Sequence, residues 1–150
     1  MNSYRVGLES DHELIVALMT ELVTELSPAE GSENIIQKLD GDIALALQSD
    51  QVRFFIVEHN DQIAGLARAD ILRQDPIFRL REDNRCGYLD QMYVRTQFRK
   101  LGIGRELLRE CEEWFRSQGI GHCLLHASLN AVGFYAKNEY KPNRQMFRKL

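Results

Sequence analysis

Arg99, Gly102 and Gly104, spaced Arg-x-x-Gly-x-Gly, are the residues of this 150-residue chain whose types and positions most directly imply chemistry. Just before them Met92-Tyr93-Val94 reads as a strand end, because apolar and aromatic residues cluster there. Just after them an amphipathic helix begins at Ile103, with Ile103, Leu107, Cys111 and Trp114 on one stripe and Leu108 and Phe115 beside it. Strand, glycine turn and helix together make an anion site. The first helical N–H groups lack internal partners, and the helix dipole adds partial positive charge. Gly102 and Gly104 carry no Cβ, so a large anion can come close to the backbone. Arg99, Lys100 and Arg105 add formal charge at the same place. The dinucleotide fingerprint G-x-G-x-x-G fails, since Leu107 stands where its third glycine belongs. The Gly-Lys-Ser/Thr of a nucleotide-triphosphate loop is also missing.

Other chemistries find less support. Cys86, Cys111 and Cys123 form no C-x-x-C pair, and an odd count argues against a disulfide framework. His122 and His126 are four apart, which on a strand separates them by roughly 13 Å, too far for one metal ion. The net charge of −3 conceals an asymmetry. Residues 1–75 carry five basic and fourteen acidic side chains, whereas residues 76–150 carry fourteen basic and eight acidic. The basic half holds the phosphate turn, as an anionic ligand would favour, and the acidic half suits a cationic substrate. Apolar residues at 44% and charged residues at 27% are ordinary for one globular domain over 1–150. No apolar run approaches the ~18 residues of a membrane span, and Met-Asn-Ser-Tyr-Arg has no signal-peptide core, so the expectation is a cytoplasmic protein.

The elements that must position the turn follow from periodicity. Tyr4–Leu8 reads as an opening strand. Ser10 or Asp11 then caps a helix whose Ile15, Met19, Leu22 and Leu26 share a face widened by Leu14 and Leu18. Ser27-Pro28 and Gly31 end it. A second helical period runs through Ile36, Leu39, Ile43 and Leu47, and Asp40-Gly41-Asp42 inside it predicts a bend or break. Arg53–Glu58, the turn at 59–62 and Ile63–Leu72 form a hairpin, followed by an exposed loop from Arg73 to Asn84. The strand Cys86–Arg95 leads to the phosphate turn and a helix reaching Gln118, which Gly119 and Gly121 terminate. A strand over His122–Ser128, a helix capped by Asn130 and running to about Asn138, a short strand and turn at Tyr140–Asn143 and a last strand over Gln145–Leu150 complete the chain. The order is β-α-α-β-β-β-α-β-α-β-β, an α/β domain with helices on both faces of a mixed sheet.

The Arg99–Gly104 pattern resembles the acyl-CoA pyrophosphate loop of the GNAT family, the GCN5-related N-acetyltransferases. Leu129-Asn130-Ala-Val-Gly-Phe134-Tyr135-Ala-Lys137-Asn-Glu-Tyr140 resembles that family's Asn-x-x-Ala-x-x-Phe-Tyr-x-x-x-Gly-Phe segment, at the expected distance. The element order resembles the whole fold. Departures are Thr96 where the family often has Pro, Lys100 where it often has Gly, and Gly133 in place of the usual Ala. Glu139 replaces a helix-ending glycine, which leaves Asn138 as the candidate for the left-handed cap.

The resemblance implies a mostly antiparallel sheet splayed between its fourth and fifth strands, with acetyl-CoA in the gap. The pantetheine arm would run along Met92, Tyr93 and Val94, hydrogen-bonding the backbone of Met92 and Val94. The diphosphate would rest on the loop from Arg99 through Lys100, Leu101, Gly102, Ile103, Gly104 and Arg105. Asn130 would bond the pantetheine amide or cap its helix. Met92 N–H would polarise the thioester carbonyl. An alkylammonium acceptor has a pKa near ~10, so a base is required. Asp90 is the first candidate and His126 the second. Tyr135 would protonate the departing thiolate. No metal and no acyl-enzyme is required. The acceptor, a small-molecule or peptide amine, would enter over the first two helices and the 73–84 loop, where Glu25, Glu30, Glu33 and Asp75 could attract a cation. A homodimer is an open expectation. One alternative is a non-catalytic acyl-CoA-binding sensor or interaction domain. Nucleic-acid binding through the basic half lacks a recognition helix or aromatic platform, and no nucleic acid or membrane partner is expected.

Overall fold

A computed structural model describes residues 1–26, 32–73, 84–143, 146 and 148–150. Its elements are β1 (Asn2–Val6), α1 (His12–Leu26), α2 (Ser32–Gln48), β2 (Val52–His59), β3 (Gln62–Arg73), β4 (Arg85–Val94), α3 (Ile103–Ser117), β5 (Cys123–Leu125) and α4 (Val132–Lys137). The five strands lie side by side in chain order, antiparallel from β1 to β4 and parallel between β4 and β5. Phe54, Phe55, Ile56 and Val57 of β2 are all buried, because helices cover both faces of the sheet. On one face Phe54, Ile56, Leu66 and Tyr93 pack with Ile15, Leu18 and Met19 of α1 and Leu39, Ile43 and Ala46 of α2. On the other, Phe55, Val57, Ala67, Ala69 and Ile71 pack with the α3 residues Ile103, Leu107, Leu108, Cys111, Trp114 and Phe115. That α3 set is the stripe visible in the sequence. Each such side chain withdrawn from water stabilises the fold by roughly 1.5–3 kcal/mol.

Helix ends follow local chemistry. Asp11 is the third residue of a 3-10 turn ahead of α1 and reaches back to accept the Leu8 N–H at 2.9 Å, while Arg5 grips its carboxylate at 2.8 and 2.9 Å. After α3, Gly119 at φ 77° closes the helix: its N–H donates to Arg116 O and the Ile120 N–H to Phe115 O.

Five expectations are corrected. α2 runs unbroken through Asp40-Gly41-Asp42, because these residues are exposed while Leu39, Ile43 and Ala46 hold the buried face. β5 is only Cys123–Leu125, shorter than the strand read over His122–Ser128, since the chain pairs with β4 only there. No strand forms over Tyr140–Asn143. Pro142 has no N–H to donate, and the Tyr140 hydroxyl is instead held by Cys123 Sγ at 2.9 Å and Glu112 Oε1 at 3.0 Å. Within the expected last strand, Gln145 and Phe147 lie outside the described residues, and Met146 and 148–150 are not in a strand. After α4 the left-handed residue is Glu139, at φ 70°, whereas Asn138 is at φ −101°. Asn138 is occupied otherwise, donating its side-chain amide to Phe134 O at 2.8 Å.

Two irregularities shape the centre of the sheet. Register Arg68↔Gln91 and Ala69↔Leu89 leaves Asp90 as an extra residue on β4, a bulge that bends the strand and re-aims its side chain. β5 pairs only with Gly87–Leu89, although β4 continues to Val94. The two strands therefore part company beyond Leu89.

Candidate active site

The parting of β4 and β5 opens a cavity of about 560 Å³. One wall is Met92, Tyr93 and Val94 at the end of β4; another is Ser128, Asn130, Ala131, Phe134 and Tyr135 around α4. Phe98, Arg99, Lys100, Gly102, Ile103, Gly104 and Arg105 form one end, and Leu22, Glu25 and Leu26 of α1 face in from the acidic half. Of the twelve positions expected to hold acetyl-CoA, Leu101 alone stands outside this lining, with its side chain exposed.

The β4 edge can act as half of a strand pair. The Arg95 N–H donates to Ala64 O at 2.8 Å, so in this register Tyr93 and Arg95 bond toward β3. Alternation turns the N–H and C=O groups of Met92 and Val94 the other way, into the gap. The Val94 carbonyl already accepts Arg99 Nε at 2.8 Å.

The turn reaches its shape through two left-handed residues, Lys100 at φ 65° and Gly102 at φ 80°. The family's frequent glycine at position 100 thus has a reason: Lys100 holds a conformation that glycine adopts more readily. Gly102 is the N-cap of α3, with no side chain bonding the first turn, so the N–H groups of Ile103, Gly104 and Arg105 have no intrahelical partner. Around Gly102 a Cβ would meet nothing within 4 Å, whereas at Gly104 it would stand 3.4 Å from the Phe134 ring. Gly102 therefore keeps the anion's approach open, and Gly104 lets α4 lie against the helix start.

The cations divide. Arg99 is turned toward α1, donating to Glu25 Oε2 at 2.7 Å with its guanidinium 5.9 Å from the Tyr93 ring centre. That contact holds the Glu25 carboxyl below its usual range. Arg95 makes a matching fork to Glu21 at 2.8 and 3.0 Å, so one face of α1 clamps the strand end and the loop. Lys100 and Arg105 are exposed at the mouth, and no described carboxylate pairs with either. A diphosphate thus finds unpartnered N–H groups, two available cations and open space: the residues fit the group.

Tyr135 lines the cleft, its ring edge-on to Phe134 and Tyr140. Burial, with the neighbouring Cys111, pushes its phenol up to about 12, so it keeps its proton at neutral pH. Among the described residues nothing hydrogen-bonds its hydroxyl. The three cysteines are unbridged, and burial raises each thiol, which disfavours a thiolate nucleophile.

The two candidate bases stand apart from this lining: Asp90 in a polar cluster between β3 and β4 that sequence reasoning missed, and His126 beside it, past the end of β5. Arg68 grips Asp70 with two bonds, at 2.8 and 2.9 Å, and reaches Asp90 Oδ2 at 3.3 Å. Burial pushes the Asp90 carboxyl up to about 6; Arg68 opposes this and Asp70 adds to it. His126, just past β5, has Nδ1 2.6 Å from the Tyr88 hydroxyl. The phenol of Tyr88 is raised by burial and then by the charges of Asp90 and Asp70, which links the two candidates through one side chain. The signal for this cluster was Arg68-x-Asp70, two charges on one face of an otherwise apolar strand. Of the acids expected to attract an acceptor, Glu25 is on the cleft and Glu33 is exposed in the first turn of α2, while Glu30 and Asp75 lie outside the described residues. Among the described residues no His, Cys, Asp and Glu side chains gather into a metal site, and no helix is long and apolar enough to cross a membrane.

The protein is similar to an uncharacterized protein of Bacillus subtilis (strain 168), YyaT, with 26% identity over 98% of this chain and 87% of that one. In three dimensions it resembles a GCN5-related N-acetyltransferase from Ralstonia eutropha JMP134, with a TM-score of 0.89 at 18% identity over 100% of this chain and 99% of that one. It also resembles a predicted acetyltransferase with acetyl-CoA from Clostridium acetobutylicum, with a TM-score of 0.87 at 22% identity over 100% and 96%. The sequence profile of the acetyltransferase (GNAT) family matches residues 16–140, the span that contains both the glycine turn and Tyr135. The chain belongs to the acetyltransferase (GNAT) family, the acetyl-CoA-dependent N-acetyltransferases.

Proposed function

We propose that this protein acetylates a primary amine of a small molecule or peptide by direct attack within a ternary complex. The observation that carries the reading is the slot between β4 and β5, with unpartnered helix N–H groups at one end and the Tyr135 phenol on its wall. Acetyl-CoA, the group bound in the Clostridium acetobutylicum structure, supplies an activated acetyl. The α3 N-terminus with Lys100 and Arg105 binds the diphosphate. Met92 and Val94 pair with the pantetheine amides, and Asn130 bonds the same arm. The Met92 N–H receives the thioester oxygen and stabilises charge that develops on it. Tyr135, protonated across the neutral range, donates to the leaving sulfur. Asp90, set back from the slot and ionised at neutral pH, accepts the ammonium proton through water. His126 is the second choice, because its Nδ1 is engaged with Tyr88.

The acceptor enters from the α1 side, where Glu25 meets the slot. Free-thiol release from acetyl-CoA, measured across polyamines, aminoglycosides, amino acids and lysyl or N-terminal peptides, tests the reading. Turnover that saturates with one class supports it. Tight CoA binding with no thiol release above background for any amine replaces it with the sensor reading.

A further inference from the structure

Asp70 is 8% exposed and is the one charged residue buried among the described residues. An ionised carboxylate withdrawn from water costs several kcal/mol unless it is paired, so its place in the sheet needs an account. Neutralising Arg68 does not supply one, because Asp90 already stands 3.3 Å from the same Nε. Two carboxylates share one guanidinium, and they share it unequally. Asp70 takes both edges of the fork, at 2.8 and 2.9 Å, while Asp90 receives a single longer contact. The guanidinium is itself fixed, lying 5.7 Å from the Phe54 ring centre on the α1/α2 face. The β4 bulge presents Asp90 beside this pair.

We propose that the Arg68–Asp70 pair holds and orients Asp90, which makes Arg68 and Asp70 positioning residues for acetyl transfer. The inference rests on the reading of Asp90 as the proton acceptor. The unequal sharing keeps Asp70 and Arg68 locked together and leaves Asp90 the more loosely held of the two carboxylates. The groups around Asp90 are Arg68 and Asp70 from β3 and Tyr88 from its own strand. Asp42 of α2 acts on Arg68, and His126 is bonded to Tyr88. Removing the Asp70 charge frees Arg68 for Asp90 and deletes a repulsion. Both changes ease Asp90 ionisation.

The test follows the Asp90 carboxyl by carbon-13 NMR titration and, in parallel, the acid limb of kcat/KM, in wild type, Asp70→Asn and Arg68→Gln. Asp90→Asn assigns the signal and is expected to abolish the limb. For Asp70→Asn the Asp90 midpoint is expected to fall. A drop from about 6 to about 5 raises the share of plateau kcat/KM retained at pH 5 roughly fivefold. Arg68→Gln moves the midpoint up and serves if Asp70→Asn does not fold. An unmoved Asp90 midpoint in a folded variant overturns the inference. A midpoint that moves while the acid limb stays put overturns instead the assignment of Asp90 as the base.

Discussion

Tyr135 carries the heaviest assignment of any single side chain, and its surroundings decide how it can be probed. Its ring is packed edge-on between Phe134 and Tyr140, so phenylalanine preserves the packing and removes only the hydroxyl. Tyr135→Phe is expected to lower kcat by about 10²-fold or more with acetyl-CoA affinity within about twofold, as steady-state kinetics and calorimetry would show. Asp90 gives a prediction of another kind. Its carboxyl is raised above the ordinary 3.8, so the folded state holds that proton more tightly than the unfolded chain. Stability from this group is present below about 4 and is lost as pH climbs through about 6. Asp90→Asn removes the loss, so its unfolding free energy relative to wild type, from denaturant melts, should improve between pH 4 and pH 7 by on the order of 1–3 kcal/mol. A constant difference across that range refutes the burial account. Asp90 and Tyr135 could be named as candidates from the sequence, Tyr135 because the segment around it resembles the family's and Asp90 because the family frequently has an acid at that place on the strand. Arg68, Asp70 and Tyr88 were not, since they meet Asp90 only through strand register and a one-residue bulge that no periodicity reveals.

At the level of elements, the glycine turn and α3 form one device. Gly102 at φ 80° is the point where a side chain would strain it. Gly102→Ala should cost about 1–2 kcal/mol of stability and weaken acetyl-CoA binding several-fold, which thermal melts and equilibrium titration would report. Unchanged affinity would mean that the turn's shape does not matter to the ligand. α3 was readable because a helix with one buried stripe announces itself at a period of 3.6. α2 misled because Gly41 lowers local propensity, and the buried residues on either side of it overrule that preference. The terminal strands misled for the opposite reason. Short polar runs around Pro142 have strand-like residues and no neighbour to pair with among the described residues.

For the molecule as a whole, the slot is lined by four separate stretches of the chain: α1, the end of β4, the start of α3 and α4. A ligand that bridges them stabilises the folded state by mass action, about 2.7 kcal/mol at a hundredfold excess over Kd. Acetyl-CoA at that excess should raise Tm by roughly 5–10 °C, seen by scanning calorimetry. No rise would exclude the slot as its site. The distribution of charge was visible in composition, and its use became visible with the fold, where Glu21 and Glu25 of the acidic half grip Arg95 and Arg99 of the basic half.

Three residue pairs join β5 to β4, against nine between β3 and β4. Amide hydrogens in β5 should therefore exchange with solvent through a local opening that leaves the four antiparallel strands intact. In the free protein the outward N–H groups of Met92 and Val94 should also exchange quickly, because they face the gap beyond the last β5 pair. A pantetheine amide laid against them, as proposed, would turn them into interior ladder positions and make the molecule's least cooperative seam a continuous one.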